Sequence, residues 1–399
     1  MGILYRMIKR ELADKLKYVS TKFPVVILTG PRQSGKTTLV KSVFGKMRYF
    51  SLEEPDTRQY ALADPRGFLK SCRDGAIIDE AQRAPELFSY IQSDVDNDDT
   101  PGRFIITSSQ NIMLLGNVSQ TLAGRAALLK LLPFSLGELR STADRLEDYE
   151  TVLFKGFYPR IYDKDIPPTE WYPNYIQTYV ERDVRQIKNI TDLDAFQKFL
   201  RMCAGRIGQV LNLSSLGADC GITHNTAKAW LTILEASYIV FRFKPYYSNF
   251  NKRLIKMPKL YFWDTGLACS LLGVKSASQL ETHYLKGGLF ESMVISEFMK
   301  EKLNAGIEPD AYFWRDRSGN EIDCLIDSPE GITAVEIKSG KTVSEDFFAP
   351  FKYWNGVKHP SGEKKFVVYG GDNSQERETI KVVSWKKMPE VIYENGLYR

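Results

Sequence analysis

The stretch Gly30-Pro31-Arg32-Gln33-Ser34-Gly35-Lys36-Thr37 constrains this 399-residue chain more than any other. It fits GxxxxGK[ST], directly after the apolar run PVVILT and directly before the helix-like TTLVKSVF. That order of strand, glycine loop and helix is the context in which the pattern cradles phosphates. Gly30 and Gly35 let the loop turn its N–H groups inward at a helix N-terminus, where aligned peptide dipoles favour an anion. Lys36 adds a mobile cation for the β- and γ-phosphates, and Pro31 to Ser34 with Thr38 complete the expected ATP-binding stretch. A chance match with a solvated acidic loop nearby is the competing reading.

Thr37 offers a hydroxyl to Mg²⁺, a hard ion that takes oxygen ligands and needs a second anchor on the protein. The run Ala76-Ile77-Ile78-Asp79-Glu80 supplies one, an apolar strand carrying a carboxylate to the edge of the sheet beside the loop. Asp79 is expected in the magnesium shell, and Glu80 as the catalytic group that polarises the attacking water. The next strand, RFIITSSQN, ends in polar residues, so Thr107, Ser109 or Gln110 is a candidate sensor of the γ-phosphate, unless the end is a plain turn. Arg125 in QTLAGRAALL is a candidate for transition-state charge in a neighbouring subunit of a homo-oligomer, with a surface arginine as the alternative.

The alternation of short apolar runs with helical segments from Phe23 to about Ser135 predicts a three-layer α/β domain over 1–135. From about Leu136 to Leu272 the apolar spacing of three and four in NYIQTYVERDVRQI and AFQKFLRMCAGRIGQVL predicts a mostly helical domain. Beyond a turn at Lys286 to Gly288, a helix from about Phe290 to Leu303 and the runs AYFW, EIDCLI, ITAVEI and KFVVYG predict a small α/β domain over 273–399.

Within the middle segment, VLNLSSLGADCGITHNTAKAWLTILEASYIVFRF reads as helix, glycine turn, second helix from about His224, then strand. This is the sequence form of a winged helix-turn-helix. Asn225, Thr226 and Lys228 fall near the start of the recognition helix, where side chains reach phosphates or base edges. Lys252, Arg253, Lys256 and Lys259 amid Phe250, Tyr261, Phe262 and Trp263 predict a DNA-facing stretch. The alternative is a helix pair that only packs domains together.

In the C-terminal segment, Glu321-Ile322-Asp323 lies on one expected strand and Glu336-Ile337-Lys338 on the next. A hairpin brings Asp323, Glu336 and Lys338 to one face. Two carboxylates can hold Mg²⁺ against a phosphodiester while Lys338 orients or deprotonates water, with Glu291 leaning in from the preceding helix as a further metal ligand. A salt-bridged strand pair is the structural alternative.

Composition narrows the class. The chain has 43% apolar and 26% charged residues, the balance of a folded globular protein, and a net charge of +5 that mildly favours a polyanionic partner. Cys72, Cys203, Cys220, Cys269 and Cys324 form no CxxC pair, and the histidines are only His224, His283 and His359, so neither a disulfide framework nor a zinc site is expected. Charges interrupt the N-terminal apolar runs and no stretch reaches membrane-spanning length, so a cytoplasmic protein with no membrane partner is expected.

The motifs GPRQSGKTT, IIDEAQR, LAGRAALLKLLPFSLGE, YVERDV, KLYFWDTGLA, GNEID and AVEIKSG together resemble a family of prokaryotic AAA-type (AAA+) P-loop ATPases with a C-terminal domain of unknown function. The resemblance implies an AAA+ module followed by a winged-helix element and a restriction-endonuclease-like fold of the PD-(D/E)XK kind. It places Asp323 at that superfamily's metal-binding Asp, with Ile322 where Pro is usual, and Glu336 and Lys338 at its ExK. It matches Arg125 to the arginine of the LAGR motif, and Ser108 departs from the glycine common in the sensor stretch.

The expectation is an Mg²⁺-dependent ATPase acting on DNA, with a metal-dependent deoxyribonuclease site in the last domain. The alternative is a nucleotide-controlled switch that binds a partner protein and carries an inactive nuclease-like scaffold.

Overall fold

Val25–Thr29 (β1) is buried at all five positions, so the strand must be covered on both faces. Its side chains alternate between two cores. Val25 and Ile27 pack with Phe68, Phe88, Ile91 and Ile106, while Val26 and Leu28 pack with Leu12, Leu16, Leu39 and Val40. The computed structural model describes residues 8–110, 122–140, 148–180, 192–246, 257–328, 331–354, 364–377 and 379–388.

The chain divides into two compact units, Met1–Phe134 with Ala236–Tyr238 and Leu303–Ile307, and Ser135–Glu235 with Ile239–Lys302 and Glu308–Arg399. In the first, α1 (Leu12–Ser20) and α2 (Lys36–Val43) cover one face of a parallel sheet, and α3 (Pro55–Ala63), α4 (Pro65–Ser71) and α5 (Leu87–Asn97) cover the other. Its strands are β1, β2 (Arg48–Ser51), β3 (Ala76–Asp79), β4 (Phe104–Ser108) and β5 (Ala126–Lys130), in the order β2-β3-β4-β1-β5. β1 therefore lies between two strands that are not its neighbours in sequence, and ligands of open α/β sheets sit beyond the carboxyl ends of strands at such a reversal. This is the expected α/β architecture.

The second unit holds both the helical segment and the remaining strands. Helix α6 (Leu193–Ala204) sets Phe196 and Phe199 edge-on to Trp230 at 5.4 and 5.5 Å. Asn212 caps α7 (Leu213–Cys220) by accepting from the Ser214 and Ser215 N–H groups at 3.0 Å, and Gly221 at φ 74° ends it. α8 (His224–Ala236) follows, then the antiparallel pair β6 (Val240–Phe243) and β7 (Lys259–Phe262).

A mixed sheet of six strands completes the unit in the order β12-β13-β11-β10-β9-β8, from β8 (Ala311–Arg315), β9 (Glu321–Ser328), β10 (Gly331–Lys338), β11 (Lys364–Tyr369), β12 (Gln375–Arg377) and β13 (Ile380–Ser384). The sequence places a turn at Lys286 to Gly288, but these residues open helix α9 (Lys286–Asn304). Gly288 serves close packing instead, since a Cβ there would stand 2.6 Å from the Ile207 carbonyl oxygen.

Candidate nucleotide site and a buried carboxylate cluster

The loop from Gly30 to Thr37 joins the end of β1 to the start of α2, and its backbone demands its glycines. Gly30 has φ 152°, Gly35 has φ 92°, and a Cβ on Gly30 would lie 2.0 Å from the Leu131 carbonyl oxygen. Gln33 also takes a left-handed φ of 63°. Lys36, 5% exposed, donates from Nζ to the Gly30 and Pro31 carbonyls at 3.0 and 2.8 Å. Ser34 is fully buried and its Oγ has no hydrogen-bond partner among the described residues. Arg32 faces Glu53 at 3.8 Å, and Thr38 is exposed.

The loop and the acidic strand meet as their spacing predicts. Thr37 Oγ1 donates to Asp79 at 3.1 and 3.0 Å, so a hydroxyl and a carboxylate stand together where one hard cation can take both. Asp79 also accepts from Thr107 Oγ1 and, at 2.7 Å, from the Tyr49 hydroxyl. Burial and the adjacent Asp79 push the Tyr49 phenol well above its usual range, so it stays a donor. Glu80 sits at φ 59°, a strained position for a side chain-bearing residue. Its N–H donates to Thr107 Oγ1 at 3.2 Å, and its carboxylate accepts from Ser109 Oγ at 2.9 Å and from Gln82.

Of the polar residues ending β4, Thr107 and Ser109 thus touch the two carboxylates. Gln110 donates its N–H to Ser108 Oγ at 3.2 Å. Arg125 is bonded to Asp96 of α5, with its side chain 34% exposed.

Three residues here escaped the sequence reading: Tyr49, Gln82 and Arg10. Arg10 is 8% exposed and donates to the Ser34 and Leu132 carbonyls at 2.6 Å each, tying the phosphate loop to the segment after β5. No motif marks it, because its partners are backbone carbonyls as far as 122 positions away. Arg10→Ala leaves both carbonyls without this charged donor, a loss of about 1.5–3 kcal/mol. We expect the melting temperature to fall by a few degrees and nucleotide affinity to drop, checked by thermal scans with and without ATP.

In the second unit, β7, β9, β10 and α9 converge on a carboxylate cluster. Glu291, Glu321 and Asp323 each offer an oxygen within 4.8 Å of the others. Lys259 lies among them, with Nζ 2.7 Å from Glu291 and 3.8 Å from Asp323 and also paired with Glu321. Asp323 accepts from the Ile337 N–H at 2.8 Å, Tyr261 donates to Glu291, and Lys338 contacts Glu336 at 2.6 Å. Burial pushes Glu291 up to about 7 despite Lys259 beside it, and pushes Glu336 well above the carboxylate range. Burial opposes the charge of Lys338, but Glu336 and Asp323 outweigh it and raise that lysine.

The expected Asp323, Glu336, Lys338 and Glu291 are therefore neighbours. Glu321, on the same face of β9 as Asp323, joins them, although the sequence reading gave it no role.

The expected DNA-facing stretch needs correction. Lys259 is 3% exposed, Tyr261 and Phe262 are fully buried, and Trp263 is 7% exposed. β7 is a buried strand whose one cation is paired with carboxylates, so none of the four presents itself to a polyanion. Phe250, Lys252, Arg253 and Lys256 lie outside the described residues. Asn225 and Lys228 are exposed on α8, while Thr226 is half-buried and its N–H donates to Thr223 Oγ1 at 3.1 Å.

Comparison with known proteins matches residues 22–140 to an AAA domain, 146–278 to a domain of unknown function (DUF8612) and 286–388 to a domain of unknown function (DUF4143). An uncharacterized protein of Mycobacterium tuberculosis is 32% identical over 343 residues, covering 84% of this chain and 75% of the relative, and one of Mycobacterium bovis gives the same figures. An uncharacterized Haemophilus influenzae protein is 24% identical over 187 residues, 44% of this chain and 47% of its own.

Among solved structures, the Walker-type ATPase of Pyrococcus abyssi has a TM-score of 0.43 and 14% identity, covering 66% of this chain and 96% of that one. AMPPCP-bound DnaA from Aquifex aeolicus has a TM-score of 0.30 and 14% identity, covering 56% and 85%. No helix among the described residues is long and apolar enough to cross a membrane.

Proposed function

The chain belongs to the family of the two mycobacterial proteins, with an AAA-type P-loop ATPase domain at its N-terminal end, and from that premise we propose that it binds and hydrolyses ATP with Mg²⁺ and couples turnover to DNA. The observation that carries the ATPase reading is the meeting of Thr37 with Asp79 at 3.0 Å beside a Glu80 held by Ser109. The orphaned Ser34 Oγ and the loop that a Cβ at Gly30 would fill fit a phosphate cradle.

The loop N–H groups and Lys36 would hold the phosphates, and Thr37 and Asp79 would hold the metal. The bound metal supplies Lewis-acid polarisation of the terminal phosphate. Glu80 takes the proton of an attacking water, and Thr107 and Ser109 set the direction of the two carboxylates. Arg125 serves a neighbouring subunit only after leaving Asp96.

For the remainder we keep three working parts, 1–135, 136–272 and 273–399. The sequence α7, glycine turn, α8 and the β6–β7 pair supports a winged-helix reader with Asn225 and Lys228 outward. Asp323, Glu336, Lys338 and Glu291 in one cluster support a nuclease-like centre. One observation favours a second reading, an inactive scaffold in a partner-binding switch: Lys259 already pairs with the carboxylates.

The test incubates the full chain with ATP, Mg²⁺ and single-stranded, duplex or branched DNA, reading phosphate release and strand cleavage in wild type and Lys338→Ala. DNA-stimulated release, with cleavage lost in Lys338→Ala, is the expected result. Release indifferent to every DNA, with no cleavage, sinks the DNA reading and leaves the switch.

A further inference from the structure

We propose that Lys259 is the built-in cation of the carboxylate cluster, seated where a divalent ion would be held, so that metal binds there only when its ammonium withdraws. The proposal rests on the reading of the cluster as a nuclease-like metal centre and adds its regulation.

The three oxygens that come within 4.8 Å of one another belong to Glu291, Glu321 and Asp323, and these are the three carboxylates that Lys259 meets. A span of that size suits bridging by one hard cation. An ammonium supplies one positive charge and at most three donors, and the site is not fully satisfied by it. Glu336, 3% exposed and repelled by the carboxylates of Asp323 and Glu291, binds Lys338 through Oε1, while its Oε2 has no hydrogen-bond partner among the described residues. Buried carboxylate oxygens are rarely left so, and the orphan marks a place for a second positive ligand that Lys259 does not fill.

Withdrawal of Lys259, only 3% exposed, calls for movement of the side chain alone. It opens β7, where its backbone pairs with Phe243 and bridges to Val210. The strand is anchored by main-chain bonds, so the flexible four-carbon stem can move its charge without moving the strand. Two residues on, Tyr261 donates to Glu291 from the same face of β7 and remains to hold that carboxylate in place.

The experiment uses nucleotide-free full chain carrying Asp79→Asn, so that the phosphate-loop carboxylate does not take up metal, and titrates Mn²⁺ alone by electron paramagnetic resonance and melting temperature. Adding Lys259→Met, which removes the repulsion between ammonium and metal, is expected to tighten binding of one Mn²⁺ about tenfold or more and to let Mn²⁺ raise a melting temperature that it leaves unchanged in the parent. Adding Asp323→Asn to that variant should abolish both effects. If Lys259→Met does not fold alone, Lys259→Met with Glu321→Gln removes one of the negative charges left without a cation and is compared with Glu321→Gln. Equal Mn²⁺ affinity with and without Lys259 overturns the proposal while leaving the metal reading intact. Absence of Mn²⁺ binding in every variant removes the metal reading and the proposal together.

Discussion

Phosphate release by a Glu80→Gln variant is expected to fall about 10²–10⁴-fold, the usual contribution of a positioned general base, with ATP still bound. The substitution isolates chemistry from structure. A glutamine keeps the length of the side chain and an oxygen that accepts from Ser109 and Gln82, the two groups that now hold Glu80. The backbone strain at φ 59° is the same for both residues. What disappears is the negative charge that takes a proton from water. Radiolabelled phosphate release together with nucleotide binding by fluorescence separates the two quantities. Unchanged turnover would remove Glu80 from the chemistry and shift attention to another base, whereas loss of binding would show that Glu80 supports the loop.

The second large effect is expected from Gly30→Ala, which attacks the cradle itself. Any side chain at φ 152° is strained, and the new Cβ would meet the Leu131 carbonyl oxygen at 2.0 Å, with Ser34 Oγ at 3.3 Å. A backbone oxygen cannot rotate aside, and Leu131 is tied to the sheet by its N–H bond to Thr29 at 2.8 Å. The loop must therefore shift away from the strand. Overpacking of this kind costs about 1–3 kcal/mol, and the shift turns the inward N–H groups off their target. We expect a lowered melting temperature and no stabilisation by ATP, where wild type is stabilised in proportion to occupancy. A variant that keeps its nucleotide-dependent melting shift would show that the loop tolerates the displacement.

Gly35, at φ 92°, shares the left-handed backbone conformation that a side chain would strain.

How much could be read before the structure depends on how local the cause is. The five-residue apolar run of β1, the loop after it and the helix after that are contiguous, so period and turn chemistry disclose them without any knowledge of packing. Asp79 and Glu80 were legible for the same reason, as the end of a short apolar strand. The helix, turn, helix and strand order from Leu213 to Phe243 followed from apolar spacing and one glycine.

The failures have a common cause. Lys252 to Lys259 look alike in sequence as scattered cations among aromatics, yet Lys259 faces three carboxylates that come from α9 and β9. Burial and partner decide the meaning of such a cation, and both are long-range properties. The glycines at 287 and 288 have the composition of a turn, but Gly288 is needed for the close approach of Ile207 inside a helix.

By itself, then, the sequence determined the local elements: a phosphate loop between β1 and α2, an acidic strand end, and a hairpin that puts Asp323 and Glu336 side by side. Only the tertiary structure decided that Tyr49 and Thr107 grip Asp79, that Arg10 fastens the loop from behind, and that Lys259 fills the carboxylate cluster. Hydrogen bonds and ion pairs fall off within a few ångströms, so they follow from which distant segments the sheets and helices bring together, and no spacing along the chain encodes that distance.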